Sequence, residues 1–390
     1  MKQKRDVGTI LYLTAFVLWL FVGLVKYTYF KDMLPMKEIS KNFLCTALCL
    51  LLVKTIMDFR ISLRNVLGLF LLVLFMTIAC AGGRLQFAVM FALIYCATNV
   101  SLDKILKTAL TAQLLLFLST IVAARSGVLE DFIWDAATRQ RHGLGFTHCM
   151  LASNFGLYIS LIYIGIVKKM TLFRAAAILL LNGILYHFTD GRTDMYLSVL
   201  FVISAFILGN IGQKIKGQKV FGCIFAALPM ILWTISVVAT AQFSLDNPIM
   251  VKVNTILNHR LSLGYDALAE YGFPLFGYKI KWVGQSNLYY NPTLKYNYVD
   301  SSYLMMMFTY GSIFVLCYCV AMGWLLYKKM AEKDTMAVVI LLIILAFGVI
   351  NPQSMYLTYN PFLVLLAGFW NPGDSGKNPE EEVRKETGKA

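Results

Sequence analysis

The sequence predicts an all-α polytopic membrane protein of about twelve transmembrane helices, with one long external loop between the ninth and the tenth. Three observations carry this expectation. Hydrophobic residues make up 58% and charged residues 14% of the 390-residue chain, which leaves too few polar side chains to cover a water-soluble fold. Apolar runs recur from Val7 to Phe369 without a polar interruption of domain length. The lysines and arginines behind the net charge of +14 and the pI near 9.3 fall in alternate loops, as the positive-inside rule requires. A nucleic-acid face would interleave cations with aromatics, so no nucleic-acid partner is expected.

A span needs about 20 apolar residues. That template fits at 7–25, 43–57, 66–80, 85–100, 104–123, 148–167, 171–188, 194–211, 219–241, 302–327, 335–350 and 355–370. The first run follows Met1-Lys2-Gln3-Lys4-Arg5 as a signal peptide would. It is long enough to span and lacks a small-residue cleavage site, so it is expected to stay as helix one. The third and fourth runs are parted only by Ala81-Gly82-Gly83-Arg84, and the twelfth is interrupted by Asn360-Pro361. A cytoplasmic amino terminus puts Arg60, Arg64, Lys104, Lys107, Lys168, Lys169, Arg174, Lys214, Lys216, Lys219, Lys328, Lys329 and Lys333 in cytoplasmic loops. The even helix count returns the carboxyl terminus to the same side. Residues 1–370 thus read as one integral membrane domain that includes the loop 242–301, and the polar tail 371–390 has the composition of a disordered segment. The eight cysteines lie in or beside apolar runs, where they act as small hydrophobes, and imply no disulfide framework or metal site.

The opposite side carries 125–147, the turn Thr189-Asp190-Gly191-Arg192-Thr193-Asp194 and the loop 242–301. A connection of about sixty residues exceeds what joining two helices needs. It is dense in aromatics, among them Phe243, Tyr265, Tyr271, Phe273, Phe276, Tyr278, Trp282, Tyr296 and Tyr298. Apolar spacing over 254–271 predicts a helix lying on the membrane surface or over a cavity. Aromatic faces beside Asp, Asn, Gln and Arg suit a carbohydrate site; an interfacial aromatic belt explains the same rings.

Arginine is the informative residue on this side. The cytoplasmic loops rely mostly on lysine, whereas Arg84, Arg125, Arg139, Arg141, Arg192 and Arg260 fall outside. A guanidinium binds phosphate or carboxylate in bidentate fashion, so these are candidates to hold an anion; snorkelling to headgroups is the simpler reading of each one alone. Arg192 sits in a very short turn at membrane depth, where a polar cluster faces a cavity or merely pairs Arg192 with Asp190. His259 precedes Arg260, and His142 follows Arg139 and Arg141, so each imidazole is a candidate general base or a solvated loop residue. Asp266 and Glu270 are one helical turn apart and fit a cation or sugar clamp as well as a solvated face. Asp300-Ser301-Ser302-Tyr303 opens the tenth span as an N-cap, with binding of sugar hydroxyls as a second role. The sequence contains no Walker motif, dinucleotide fingerprint, HExxH or nucleophile elbow, so no cofactor and no metal are expected.

These external residues resemble those of the bacterial polysaccharide repeat-unit polymerases and O-antigen ligases, the Wzy-type family. The resemblance lies in the many helices, the long external loop before the antepenultimate helix, Gly191-Arg192-Thr193, Arg260 running to Tyr271-Gly272 and Phe276-Gly277, Asp300-Ser301-Ser302-Tyr303, Tyr310-Gly311 and Asn360. It implies a class C glycosyltransferase architecture in the cytoplasmic membrane of a bacterium, with both termini cytoplasmic. The implied reaction transfers the glycan of a polyprenyl-diphosphate-linked oligosaccharide to another lipid-linked unit at the external face, building capsular, exo- or O-antigen polysaccharide without a nucleotide sugar. Carried over, Arg192 and Arg260 would hold the diphosphate, and His259 or an external carboxylate would deprotonate the acceptor. Arg139, Arg141, His142, Asp190, Asp266, Glu270, Asp300 and Tyr303 would line the substrate. Membrane lipids, a flippase and a chain-length regulator are the implied partners. The alternative is that the chain is itself a lipid-linked oligosaccharide flippase or exporter; a long one-sided loop fits chemistry better than transport, which favours twofold repeats and polar residues at helix midpoints.

Overall fold

A computed structural model describes residues 2–59, 61–81, 84–136, 139–211 and 218–370. The expected tail 371–390, Arg60, Gly82-Gly83, Lys214 and Lys216 lie outside these residues. The protein is predominantly helical. In order come α1 (Lys2–Val25), α2 (Phe30–Met33), α3 (Met36–Asp58), α4 (Leu63–Ala81), α5 (Leu85–Cys96) and α6 (Leu102–Arg125). A hairpin of β1 (Ile133–Ala136) and β2 (Arg139–His142) leads to α7 (Cys149–Val167), α8 (Leu172–Thr189), α9 (Arg192–Ile211) and α10 (Gln218–Ala241). The chain continues through α11 (Pro248–Ile256), α12 (Arg260–Tyr271), α13 (Gln285–Tyr290), α14 (Ser302–Tyr310), α15 (Ser312–Ala331), α16 (Thr335–Gly348) and a 3-10 helix, Pro361–Phe369.

Among the described residues eight helices are long and apolar enough to cross a membrane, and Leu85–Cys96 and Thr335–Gly348 are shorter apolar helices. This is a multi-pass, essentially helical membrane protein. Its contacts group into two compact units. One comprises the chain to Val167, Ile184–Gly191 and the chain from Pro361; the other comprises Lys168–Gly183 and Arg192–Asn360.

In the first unit α1 packs on α3, α5 and α6. Tyr12, Phe16, Trp19 and Leu20 are fully or almost fully buried, the one-sided stripe expected of helical periodicity. The Trp19 indole N–H donates to the Gln86 carbonyl at 2.8 Å. Helix α7 is buried around most of its circumference, whereas α4 exposes Leu67, Phe70, Leu74 and Ile78, the side chains a helix presents to lipid. Lys54 is 1% exposed and donates to Asp58 and to the Thr98 carbonyl, the latter at 2.9 Å.

In the second unit α10 and α15 form the central pair. Gly323 permits their approach, since a Cβ there would strike the Ala226 carbonyl, and Cys319 Sγ donates to the Pro229 carbonyl at 3.4 Å. Helices α14 and α16 pack on α15, and α9 packs on α16.

Several elements differ from expectation. The tenth span, 302–327, is two helices that meet at Gly311, whose φ of +94° ends α14. The twelfth, 355–370, is a set of turns followed by nine residues of 3-10 helix from Pro361. At about 2 Å per residue this piece is too short to cross about 30 Å of hydrocarbon. The single loop helix expected over 254–271 is α11 and α12, separated where Asn258 and His259 adopt left-handed backbone. A small hairpin within 125–147 adds strand to the all-α expectation; β1 and β2 are antiparallel with Trp134 opposite Arg141.

Candidate functional site

The site centres on α12, in the second unit. Helix α11 begins with Asn247, whose side chain accepts from the Ile249 and Met250 amides at 3.0 and 3.3 Å, with Pro248 at its first position. That arrangement satisfies donors a helix start leaves open and uses the one residue that lacks an N–H. The helix stops at Ile256. His259 N then donates to the Asn254 carbonyl at 2.8 Å, closing the turn.

Asn254 holds the next helix in place. It is 6% exposed; its Oδ1 accepts from the Leu261 and Ser262 amides, both at 3.1 Å, and its Nδ2 donates to Ser262 Oγ at 3.2 Å. His259, the nominal cap, makes no capping bond. Asn254 therefore caps α12 from the preceding helix, which fixes the direction in which its first residue, Arg260, leaves the backbone.

The Arg260 side chain is 17% exposed, and its Nε lies 3.6 Å from Asp300 Oδ2. That separation is an ion pair rather than a hydrogen bond, and Nε is buried without a hydrogen-bond partner. Tyr296 belongs to the same cluster. Burial pushes its phenol well up, Asp300 adds to the shift and Arg260 opposes it. The phenol stays protonated and able to donate. His259 is exposed, with Nδ1 3.5 Å from Asn254 Nδ2.

Asp300 is anchored by the residues after it. Ser301 Oγ accepts from the Leu304 amide as the N-cap of α14. Ser302 donates from N and Oγ to the Asn351 carbonyl at 3.1 and 2.6 Å, and the Ser354 amide donates to Ser302 Oγ at 3.2 Å. Asn360 Nδ2 donates to the Ser354 carbonyl at 2.8 Å. The turns that replace the start of the expected twelfth span thus brace the segment beside Asp300. Asn360 acts through this brace.

The other expected residues are dispersed. Arg192 is exposed at the first position of α9. Asp190, of the first unit, has a φ of +48° between α8 and α9. Asp266 and Glu270 are exposed on α12, as a solvated helix face would place them. Tyr303 is 1% exposed and its hydroxyl donates to the Leu345 carbonyl at 3.2 Å, so it is packed in the interior of its unit and not turned to a ligand. Arg139 lies on β2, and its side chain is outside the described residues. Arg141 donates through Nε to the Thr189 carbonyl at 2.8 Å, and Nη2 contacts Met150 Sδ. His142 Nδ1 is 2.7 Å from Asp131 Oδ2, while Asp131 Oδ1 accepts from the Leu144 amide at 2.6 Å. In the first unit, therefore, Arg141 and His142 hold the hairpin to its surroundings.

Helix α12 and its neighbours gather a fixed guanidinium, a carboxylate, a protonated phenol and an exposed imidazole. A guanidinium with an unbonded buried N–H suits an oxyanion, which it would bind more strongly than in water; Asp300 tempers its charge and orients it. The exposed imidazole adds a group that can donate or accept a hydrogen bond. Sequence reasoning does not single out Asn254 or Tyr296 for the site. A lone Asn within the apolar spacing of the loop helix is the signal that could have flagged the first; nothing in the sequence separates Tyr296 from its many aromatic neighbours. Comparison with protein-family models, with curated proteins and with solved structures finds no match for this chain.

Proposed function

We propose that this protein is a glycosyltransferase that polymerises polyprenyl-diphosphate-linked oligosaccharide units at the external face of a bacterial cytoplasmic membrane. The observation that carries the reading is Arg260, held at the start of α12 by Asn254, with a buried Nε free of hydrogen bonds beside Asp300 and Tyr296. In the proposed reaction the acceptor hydroxyl loses its proton to His259, its oxygen bonds to the donor's anomeric carbon, and the carbon–oxygen bond to the lipid diphosphate breaks. Arg260 binds the departing diphosphate, whose developing charge a preorganised cation stabilises. The fold proposed with this activity is that of a class C glycosyltransferase with both termini cytoplasmic. Flippase and chain-length regulator are the proposed partners.

Reconstitution with a purified lipid-diphosphate oligosaccharide tests this. A ladder of longer glycans without ATP is the expected result; transbilayer movement of intact units with no new glycosidic bond would identify a flippase instead. Arg260→Lys keeps the charge and loses the fork. It is expected to lower polymerisation at least about tenfold, corresponding to roughly 1.4 kcal/mol. Wild-type rates in a normally inserted variant would remove Arg260 from the diphosphate role.

A further inference from the structure

We infer that the segment Phe273–Phe276, which sequence alone places in the external loop, is immersed in the bilayer and contacts lipid acyl chains. Its apolar side chains are unusually bare: Phe273 is 53%, Leu275 62% and Phe276 75% exposed. Exposed apolar side chains this close together are unfavourable in water. Their surroundings belong to the membrane-crossing part of the second unit.

The backbone shows how the segment enters. Where α14 gives way to α15, Ser312 donates from both N and Oγ to the Pro274 carbonyl, at 2.8 and 2.7 Å, and Ile313 N donates to the Leu275 carbonyl at 3.4 Å. On the other side Tyr278 N donates to the Phe308 carbonyl at 2.8 Å. Gly277 and Gly311 allow this approach: a Cβ on Gly277 would strike the Thr309 carbonyl, and one on Gly311 the Leu275 carbonyl. A helix break in hydrocarbon needs its freed amides and carbonyls satisfied by protein, and this segment supplies those partners.

Trp233 sets the depth. The Phe273 ring stacks on it with centroids 6.2 Å apart, and Trp233 lies about 12 Å before the carboxyl end of α10 at its helical rise. The half-thickness of the hydrocarbon is about 15 Å, so a ring at that level is below the headgroups. Ile313, whose amide bonds to Leu275, and Leu316 one turn further along α15 are exposed and carry the patch onto the lipid-facing surface of that helix. The chain then returns through Tyr278, Lys279, Lys281 and Trp282, with Lys279 and Lys281 exposed. Tyr271 contacts Tyr278 at 5.8 Å and Trp282 at 6.4 Å between centroids. Aromatic and lysine side chains are the anchors found at the water interface. The carboxyl end of α12 is thereby moored to the bilayer, whatever chemistry occurs at its amino end.

The test places nitroxides by Leu275→Cys and Phe276→Cys in full-length protein whose exposed cysteines, Cys45, Cys49, Cys80, Cys223 and Cys317, are replaced by alanine. Val320→Cys on α15 and Lys281→Cys are the lipid and water controls. In phosphatidylcholine and phosphatidylglycerol liposomes, residues 275 and 276 should collide preferentially with oxygen, as 320 does, and Lys281→Cys with a water-soluble nickel chelate. Preference for the chelate at 275 and 276 overturns the inference in favour of an aqueous lid. Exclusion of both reagents overturns it in favour of a protein partner, a second copy included. If a labelled variant does not insert, the unlabelled wild-type protein is irradiated with a diazirine-tailed phospholipid. Adducts on 273–276 then support immersion, and adducts confined to the long helices refute it.

Discussion

Replacing Asn254 by alanine should loosen α12 from its amino end and leave the spans intact. Its Oδ1 is the acceptor for two amides, those of Leu261 and Ser262. Leu261 is 9% exposed, so its N–H loses a partner where water does not readily replace it, at about 1–3 kcal/mol. The Ser262 amide is half-buried and is partly rescued by water. Loss of an N-cap costs about 0.5–2 kcal/mol by itself, and about 2 kcal/mol for the whole change is consistent with both figures. Such a loss corresponds to roughly thirtyfold faster opening, at 1.4 kcal/mol per tenfold. Amide hydrogen exchange measured by mass spectrometry in lipid nanodiscs reads it directly, in peptides covering 260–264. Asn254→Asp keeps the acceptor at a helix start that favours negative charge and should exchange at nearly the wild-type rate. Unchanged exchange in the alanine variant, or equal loss in both, would show that Asn254 does not hold the turn, and with it the account of how Arg260 is aimed would fail.

Other perturbations probe separate parts of the structure. Gly311→Ala forces a φ of +94° on an L side chain and drives a Cβ into the Leu275 carbonyl; it should cost about 2 kcal/mol or more. Gly183→Ala, in α8 with nothing within 4 Å of the new Cβ, should be neutral or stabilising by about 0.5–1 kcal/mol; thermal unfolding in detergent compares the two. Asp58→Asn removes the opposing charge from a Lys54 that is 1% exposed and should cost about 3 kcal/mol, most of it recovered when Lys54→Met is added. Lys26, just past the first span, is lowered by burial from the ordinary 10.5 to about 8. Between those values the folded protein has released a proton that the unfolded chain keeps, so stability should rise as pH increases through about 8 to 10.5. A Lys26→Met variant should lack that rise in denaturant titrations across the window.

The parts legible in the sequence are those set by the solvent. Long apolar runs such as 7–25 and 219–241 match helices because a backbone in hydrocarbon must bond to itself, and the helix is the local way to do so. The helical spacing read over 254–271 also holds from Arg260 to Tyr271, which is one helix, although the break before it is missed. The runs misread are those in which a single residue changes the backbone. Gly311 splits an apolar stretch that hydropathy sees as continuous, and Asn258-His259 break the loop helix in two. Pro361 comes after a set of turns held by hydrogen bonds from the Gln353 and Ser354 amides and from Asn360 Nδ2, so apolar composition there does not mean a crossing helix.

The candidate site divides the same way. Arg260 is noticed in the sequence because an arginine in a loop expected outside departs from the positive-inside rule, and His259 because its imidazole stands beside that arginine. Tyr303 is noticed too, yet it packs inward, because its face of α14 is decided by the bond to the Leu345 carbonyl, 42 residues away. Asn254 and Tyr296 gain their roles from neighbours that are remote in sequence or carry no motif.

By itself, then, the sequence determined that this chain lives in a membrane, roughly where its helices run and which cations need explaining; solvent and helical period act locally, and local effects are written in local composition. Only the tertiary structure decided that Asn254 caps α12, that Asp300 and Tyr296 surround Arg260 and that Phe273–Phe276 is bound at a helix break. Each depends on hydrogen bonds and charges between residues far apart along the chain, whose partners exist only once the helices have packed.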